Sequence, residues 1–213
     1  MKYDDVMKLA LERGFYFPSC EVYSDAQAGF WEYGPAGVSL KNKFLELWRR
    51  ELLRRDKMIE IDGSQIMSSS VFEASGHLTS FADPIVRCTN CKSTHRADRI
   101  IAELAKVEIP ESADLEEFDK VITEKNIKCP KCNSNFENTK KFNMMFQVGI
   151  GPEGEPAYLR PETCQSIFVD FPRLFKTMRG KLPLGIAQTG KSFRNEIAPR
   201  QSLLRLREFY QAE

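Results

Sequence analysis

The stretch Gly190-Lys-Ser-Phe-Arg-Asn-Glu196, followed after a polar loop by Leu204-Arg-Leu-Arg-Glu-Phe209, decides the fold prediction. The pattern predicts two strands joined by that loop. Because side chains alternate along a strand, Arg194 and Glu196 share one face of the first strand. Arg205 and Arg207 share a face of the second by the same rule, unless a bulge shifts them. An arginine fixed on a strand can bind phosphate or carboxylate through two hydrogen bonds. A cross-strand ladder of salt bridges explains the same residues, and on the pattern alone it is the simpler interpretation.

Helices and strands surround this stretch in an order typical of an α+β fold. Helical periodicity predicts helices over 1–14, 38–55 and 162–171, and a charged helical run over 98–125. Alternation and β-forming residues predict strands over 58–67, 141–150, 157–160, 182–189, 192–196 and 203–213. Because the strands follow one another through loops, we expect an antiparallel sheet flanked by helices.

Four of the six cysteines form two Cys-x-x-Cys pairs, Cys88 with Cys91 and Cys129 with Cys132. Two such pairs can supply the four thiolates of a tetrahedral Zn²⁺ site, and in a cytosolic chain this spacing favours metal over disulfides. A four-cysteine site has no open position, so we expect a structural zinc; His95 is an alternative ligand that four cysteines make unnecessary. The pairs predict a zinc-binding insertion over 87–140, between core segments over 1–86 and 141–213.

Composition and missing motifs exclude several classes of protein. The 213 residues include 31 basic and 30 acidic side chains, a net charge of +1, so global charge gives no argument for nucleic-acid binding. No apolar run approaches the roughly 20 residues of a membrane span, and the acidic first residues do not resemble a signal peptide, so we expect a cytoplasmic protein without membrane contact. Walker, G-x-G-x-x-G and G-x-S-x-G motifs are absent. The presence of only two histidines fits a reaction driven by positioning and electrostatics.

The stretch Leu159-Arg-Pro-Glu-Thr-Cys-Gln-Ser-Ile-Phe168 predicts the start of a helix. Pro161 suits the first helical position and Thr163 lies near the cap. Arg160 and Glu162 lie just outside the apolar face. Taken alone, the stretch is explained as a capped structural helix.

Together these motifs resemble the glycyl-tRNA synthetases of the archaeal and eukaryotic type, which are class II aminoacyl-tRNA synthetases. The resemblance covers essentially the whole chain. It rests on these phrases in the family's order: Trp31-Glu-Tyr-Gly-Pro35 with the helix over 38–55 and the strand over 58–67 (motif 1), Glu73-Ala-Ser-Gly-His77, Phe81-x-Asp-Pro84, Arg96-Ala-Asp98, Arg160-Pro-Glu-Thr163, and 190–196 with Arg207-Glu-Phe209 (motif 2). It implies a class II catalytic core that forms a homodimer through motif 1. It also implies that glycine and ATP give glycyl-adenylate, and that the glycyl group then passes to glycine tRNA.

The resemblance implies roles for individual residues. Arg194 would hold the ATP α-phosphate and the glycine carboxylate, Glu196 would contact the adenine, and Arg207 would complete the catalytic set. The ATP site would comprise Arg194, Asn195, Glu196, Leu204, Arg205, Leu206, Arg207, Glu208 and Phe209, with Arg205 or Arg207 near the phosphates and Phe209 stacked under the adenine. The glycine pocket would be lined by Arg96, Glu162, Phe209, Gln211 and Glu213. Mg²⁺ would bridge the phosphates.

The chain departs from the family's pattern in two places. Ser68-Ser-Ser70 stands where motif 1 usually has a proline, and Cys164-Gln-Ser166 stands where the family commonly has Ala-Gln-Gly. Motif 3 and an anticodon-binding domain are missing from the sequence, so we expect this N-terminal catalytic fragment to be weakly active or inactive alone. Two other interpretations start from the same residues: a zinc-ribbon module that binds nucleic acid, and a non-catalytic synthetase-like partner protein.

Overall fold

The structure is a computed structural model that describes residues 2–110, 112–199 and 202–213. Its α-helices are α1 (Tyr3–Glu12), α2 (Pro35–Trp48), α3 (Ser69–Ala74), α4 (His77–Ser80), α5 (Ala97–Ala105), α6 (Leu115–Glu124) and α7 (Cys164–Thr177). Its strands are β1 (Tyr16–Pro18), β2 (Trp31–Tyr33), β3 (Ile59–Ile61), β4 (Ile66–Ser68), β5 (Ala82–Arg87), β6 (Thr94–Arg96), β7 (Lys140–Asn143), β8 (Phe146–Ile150), β9 (Glu155–Leu159), β10 (Ile186–Phe193) and β11 (Glu208–Ala212). Among the described residues, no helix has the length and apolar character needed to cross a membrane.

Two compact units divide the chain. The first unit consists of Met1–Val71, Phe146–Arg194 and Pro199–Glu213, and the second consists of Phe72–Met145 and Asn195–Ala198. The insertion predicted over 87–140 falls inside the longer segment of the second unit. That unit also takes in residues on either side of the predicted insertion.

The first unit contains three small sheets. Strand β1 pairs with β2, strands β4, β9 and β8 form a second antiparallel sheet, and strands β11, β10 and β3 form the third. In the third sheet β10 is antiparallel to β11, with Ser192 opposite Phe209 and Gly190 opposite Gln211. Strand β3 is parallel to β10, the one departure from the antiparallel pairing among the strands described here. The predicted α+β fold with antiparallel sheets and flanking helices is otherwise confirmed.

Several predicted strands have other limits in the structure. The strand predicted over 58–67 is two strands, β3 and β4, which are separated by residues 62–65. Within this connection Gly63 packs on Ser166, and a Cβ at Gly63 would lie 2.1 Å from the Ser166 Oγ. The strand predicted over 141–150 is also two, because the Asn143 side chain accepts a hydrogen bond from the Met145 amide and interrupts the extended chain.

The two strands of the predicted hairpin also have limits that differ from the predicted ones. The stretches predicted over 182–189 and 192–196 are one strand, β10, which ends at Phe193. The strand predicted over 203–213 begins only at Glu208, after a 3₁₀ turn over Ser202–Leu204. Residues on either side of the hairpin loop therefore lie outside strands, and the rule of alternation does not apply to them.

Helix α2 carries the apolar stripe that the sequence predicts, and the stripe is exposed. Pro35 occupies the first position of the helix, where its missing N–H costs nothing. Leu40 and Phe44 are 59% and 61% exposed. Beyond Trp48 the helix continues with π-helical geometry over Arg49–Arg54. Together α1, α2 and β11 line an apolar groove of about 730 Å³.

The second unit is built on the antiparallel sheet β6-β5-β7 and two helices. Its apolar core joins Val86 of β5, Ile101 of α5 and Phe118 of α6, none of which has measurable exposure. The charged helical run predicted over 98–125 is two helices, because α5 ends at Ala105 and the next residue, Lys106, has left-handed backbone geometry with φ 58°.

Candidate active site and metal centre

Arg160, directly after β9, is fully buried and joins three parts of the first unit. Its Nε donates to the Lys191 carbonyl and its Nη1 to the Gly63 carbonyl, both at 2.9 Å. Strand β10 passes so close that a Cβ on Gly190 would lie 2.1 Å from Nη2. Burial lowers the pKa of this guanidinium. Because the Nε and Nη1 of Arg160 donate to backbone carbonyls, we infer that this side chain has a structural role.

The turn before helix α7 gathers a guanidinium and two carboxylates. The Nε of Arg194 donates to the Pro161 carbonyl at 3.1 Å. The hydroxyl of Thr163 donates to the Glu213 carboxylate. Glu162 lies between Pro161 and Thr163 in the chain. This turn therefore binds Arg194, which follows β10, and Glu213, which follows β11, on either side of Glu162 in the sequence.

Helix α7 begins two residues later than predicted, and Thr163 makes no side-chain capping hydrogen bond. Thr163 does occupy the N-cap position, as predicted, but its hydroxyl donates to Glu213 and not to the helix backbone. The first two helical residues bind Glu162: the Nε2 of Gln165 lies 2.7 Å from Oε1, and the Sγ of Cys164 lies 3.2 Å from the same oxygen. The sequence does not reveal this arrangement, because its one signal is that Cys164 and Gln165 follow Glu162 by two and three residues.

The β10–β11 hairpin presents different chemistry on its two faces. On one face the Arg194 Cζ lies 5.4 Å from the centre of the Phe209 ring, and the Ser192 hydroxyl donates to the Gln211 side chain at 2.6 Å. On the other face Lys191 forms an ion pair with Glu208. The cross-strand salt bridge therefore exists, but it is made by this pair and not by Arg194.

The residues between the two strands correct the predicted faces. Arg194 and Glu196 lie beyond the end of β10, and Arg205 and Arg207 lie before β11, so neither pair shares a strand face. The Nη1 of Arg207 donates to the Ala28 carbonyl at 2.9 Å, and its own carbonyl accepts from the Arg194 amide. Three other members of the predicted ATP site lie as follows: Leu204 and Arg205 are exposed, and Leu206 is half-buried.

Three predicted site residues belong to the second unit. The Arg96 guanidinium forms ion pairs with Asp83 at 3.2 Å and Asp98 at 2.8 Å, in keeping with its place in the Arg-Ala-Asp phrase. The Asn195 amide donates to the Met144 carbonyl, and Glu196 is half-buried. Their roles in glycine and ATP binding stay predictions.

The four cysteines of the two Cys-x-x-Cys pairs converge in the second unit. All four sulfur atoms lie within 4.8 Å of one another. The Sγ atoms of Cys88 and Cys132 are 3.4 Å apart, and those of Cys91 and Cys129 are 3.6 Å apart. These distances are too long for disulfides, and they approach the ~3.8 Å edge of a tetrahedron with zinc–sulfur bonds of about 2.3 Å. The donor set therefore fits a tetrahedral metal ion such as Zn²⁺.

Each pair sits on a turn of the same design. The Cys88 amide donates to the Ser93 carbonyl and the Cys129 amide to the Ser134 carbonyl, both at 2.9 Å. The residue after the second cysteine of each pair has left-handed geometry, with φ 57° at Lys92 and 59° at Asn133. Such turns aim backbone N–H groups at the sulfur atoms, which stabilises thiolates.

The thiols of the cluster have unequal proton affinities. Hydrogen bonds from Ser134 lower the pKa of Cys132 to about 5, whereas burial raises the pKa of Cys88 to about 11. A metal ion that bound here would displace the remaining protons. His95 lies outside the cluster, and its Nε2 contacts the Ser93 hydroxyl at 3.0 Å.

Several archaeal glycine–tRNA ligases are similar to this chain. The chain is 45% identical over all 213 residues to a glycine–tRNA ligase of Methanothrix thermoacetophila, and 46% identical over 212 residues to that of Methanocaldococcus jannaschii. It is 44% identical over 210 residues to the glycine–tRNA ligase of Aeropyrum pernix. It spans 36% of the length of each of these relatives. No protein-family model matches the chain.

Two solved structures resemble the fold. One is the RNA-binding domain of threonyl-tRNA synthetase from Cryptosporidium parvum, with a TM-score of 0.55, 20% identity, and coverage of 96% of this chain and 34% of that one. The other is prolyl-tRNA synthetase from the same organism in complex with halofuginone and AMPPNP, with a TM-score of 0.52, 12% identity, and coverage of 98% and 28%. At these identities the likeness supports the fold alone.

Proposed function

Because the chain is related over its whole length to part of the archaeal glycine–tRNA ligases, we propose that it forms the part of such a ligase that activates glycine with ATP. In that reaction the glycine carboxylate attacks the α-phosphorus of ATP, pyrophosphate leaves, and glycyl-adenylate remains for transfer to glycine tRNA. One observation carries the proposal: the turn before α7 fixes Arg194 and Glu213 next to Glu162. For this role we assign the chain to the cytoplasm.

The two carboxylates provide a site for the glycine ammonium group. An ammonium has three N–H donors and no acceptor, so it is bound best by anionic oxygens. Glu213 is held by Thr163, and Glu162 is held by the first residues of α7. We assign Gln211 to the wall of the same pocket, where close packing would exclude any side chain larger than hydrogen.

Arg194 provides the positive charge that the reaction requires. Negative charge builds up on the α-phosphoryl oxygens in the transition state, and a preorganised guanidinium stabilises it. The hydrogen bond to the Pro161 carbonyl and the contact with the Phe209 ring fix this guanidinium. In the proposed site Phe209 also offers a surface for the adenine. Arg205, which is exposed, or Arg207, whose Nη1 donates to the Ala28 carbonyl, would supply the phosphate contact.

Two cations complete the proposal. Mg²⁺ would bridge the phosphates of ATP, since neutralising them requires more charge than one arginine supplies. Zn²⁺ would occupy the four-cysteine cluster as a structural ion, because all four coordination positions would be filled by protein.

The exposed stripe of α2 supports a homodimer. The exposed side chains of Leu40, Phe44 and Leu47 would be costly to leave in water. Leu40 and Phe44 also line the apolar groove between α1 and α2. We assign this face to a second copy of the chain, as expected for motif 1. Light scattering should give a dimer mass for the wild type and a monomer mass for Phe44→Glu. A monomeric wild type would contradict the assignment.

Binding of a stable adenylate analogue tests the proposed function directly. Glycyl-sulfamoyl adenosine should raise the melting temperature of the chain, and the alanyl analogue should not, because a ligand that binds only the native state stabilises it. Arg194→Ala should remove the effect. Arg173→Ala, at an exposed position on α7, is the matched control and should keep it.

Two results would contradict the proposal. The first is equal stabilisation by the glycyl and alanyl analogues, which would remove glycine as the substrate. The second is an unchanged response in Arg194→Ala, which would remove Arg194 from the site.

A further inference from the structure

The Glu162 carboxylate is held by its two nearest helical neighbours. Its Oε1 lies 2.7 Å from the Nε2 of Gln165 and 3.2 Å from the Sγ of Cys164. Both donors belong to the first turn of α7, a helix of 14 residues. Because the backbone of a helix is rigid, the two donors meet the carboxylate in a fixed geometry.

The thiol of Cys164 acts as a donor in this contact. An ionised carboxylate can only accept hydrogen bonds, so the proton between the two groups must belong to the sulfur. Burial, together with the neighbouring Glu162, raises the pKa of Cys164 to about 12, so the thiol keeps its proton at neutral pH.

The amide of Gln165 is fixed in one orientation. Its Nε2 donates to Glu162, while its Oε1 is buried and has no hydrogen-bond partner in the described part of the chain. Turning the amide over would bring its oxygen against the carboxylate oxygen, and two acceptors repel. The bond to Glu162 therefore favours this orientation, although it leaves the Gln165 Oε1 buried and unpaired among the described residues.

A carboxylate that binds an ammonium group must be ionised and immobile. Hydrogen bonds to the charged form favour ionisation, and a fixed rotamer avoids an ordering cost when the ligand binds. We propose that Cys164 and Gln165 are positioning residues that hold Glu162 as the acceptor of the substrate ammonium group. This inference rests on the proposed function, in which Glu162 lies in the glycine pocket.

Two adenylate analogues that differ only in the amino group provide the test. Calorimetric titration measures the affinity of the chain for glycyl-sulfamoyl adenosine and for acetyl-sulfamoyl adenosine, which lacks the ammonium. The ratio of the two affinities reports ammonium recognition. In Gln165→Met, which keeps the length but loses the donor, the ratio should fall roughly tenfold or more. Gln147→Met, at an exposed position on β8, is the control and should keep the wild-type ratio.

The cysteine has its own pair of variants. Cys164→Ala should lower the ratio by a smaller factor than Gln165→Met, because a thiol is the weaker donor. Cys164→Ser restores a donor and should recover most of the wild-type ratio. A purely structural role would weaken the binding of both analogues equally and leave the ratio unchanged.

A measurement on the wild type covers the case in which a variant does not fold. The NMR resonances of the Gln165 side-chain amide should shift when the glycyl analogue binds and not when the acetyl analogue binds. Identical responses to the two analogues, or a wild-type ratio in Gln165→Met, would overturn the inference and leave the proposed function standing. A wild type that binds neither analogue would overturn both.

Discussion

The two units of the chain bury different kinds of side chain. The interior around α7 and β10 contains Arg160, Thr163 and Gln188, which are polar and fully buried. The second unit buries a cluster of apolar side chains around Phe118, next to the paired cysteines. A buried polar group must be hydrogen-bonded in a specific direction, whereas apolar packing tolerates many directions. The polar interior therefore fixes functional groups precisely, and the apolar one with its thiols supports a stable module.

Removal of metal should have the largest effect, because it should destabilise the second unit and leave the first unit unchanged. Binding of a structural zinc ion contributes on the order of 10 kcal/mol to small domains, so a strong chelator should abolish the cooperative unfolding of the second unit. The first unit has no cysteine of the cluster and should keep its transition. Calorimetry with and without chelator, together with measurement of zinc content, tests this.

Two variants serve as controls for the metal. Cys129→Ser should lower the zinc content, whereas Cys20→Ser, at an exposed cysteine outside the cluster, should bind one zinc ion per chain. A purified wild type without bound metal whose second unit unfolds cooperatively would contradict the structural role of zinc.

The apolar core gives the next largest effect. Phe118→Ala should lower the free energy of unfolding of the second unit by about 3–5 kcal/mol, because the side chain has no exposure and its loss leaves a cavity. Phe168→Ala, at a side chain that is 73% exposed, should cost far less. Urea denaturation of both variants provides the comparison. Equal losses would mean that Phe118 does not organise this core.

The polar interior should respond to one added methyl group. In Gly190→Ala the new Cβ would lie 2.1 Å from the Arg160 Nη2, and hydrogen bonds to two carbonyls prevent the guanidinium from moving away. We expect a loss of about 1–3 kcal/mol in the free energy of unfolding, typical of overpacking. Gly149→Ala is the matched control on another strand, where the nearest atom would be 3.4 Å away. A stable Gly190→Ala protein would show that Arg160 can be displaced.

The sequence predicts the two interiors unequally well. Cysteine spacing predicts the metal cluster, because each pair is local and needs only a tight turn. The amphipathic patterns likewise predict that helices flank the sheets. Arg160 could not be predicted as buried, because its partners, the Gly63 and Lys191 carbonyls, are far away in the sequence. Without knowledge of these carbonyl partners, an arginine beside a proline is predicted to be exposed.

The limits of β10 and β11 explain the errors at the candidate site. Alternation along a strand is a reliable rule only inside the strand, and Arg194 comes one residue after β10 ends. Its side chain is directed by the Pro161 carbonyl, which no local pattern reveals. The motif resemblance indicates Arg194, Glu162 and Glu213 because it compares whole sites and not strand periodicity.

The smallest effect on stability concerns the solitary thiol of Cys164, which contrasts with the cluster. Burial raises its folded-state pKa to about 12, whereas an unfolded cysteine titrates near about 8.5. The folded state binds this proton more tightly, so the stabilisation is fully present below the unfolded pKa and is lost as pH rises towards the folded value. With allowance for partial exposure, the wild type should lose about 1 kcal/mol more than Cys164→Ala between pH 7 and pH 10. Cys164→Ser, whose hydroxyl does not titrate in this range, should behave as the alanine variant does. Urea denaturation at the two pH values measures the difference, and identical losses in all three proteins would show that burial does not hold the Cys164 thiol in its protonated form.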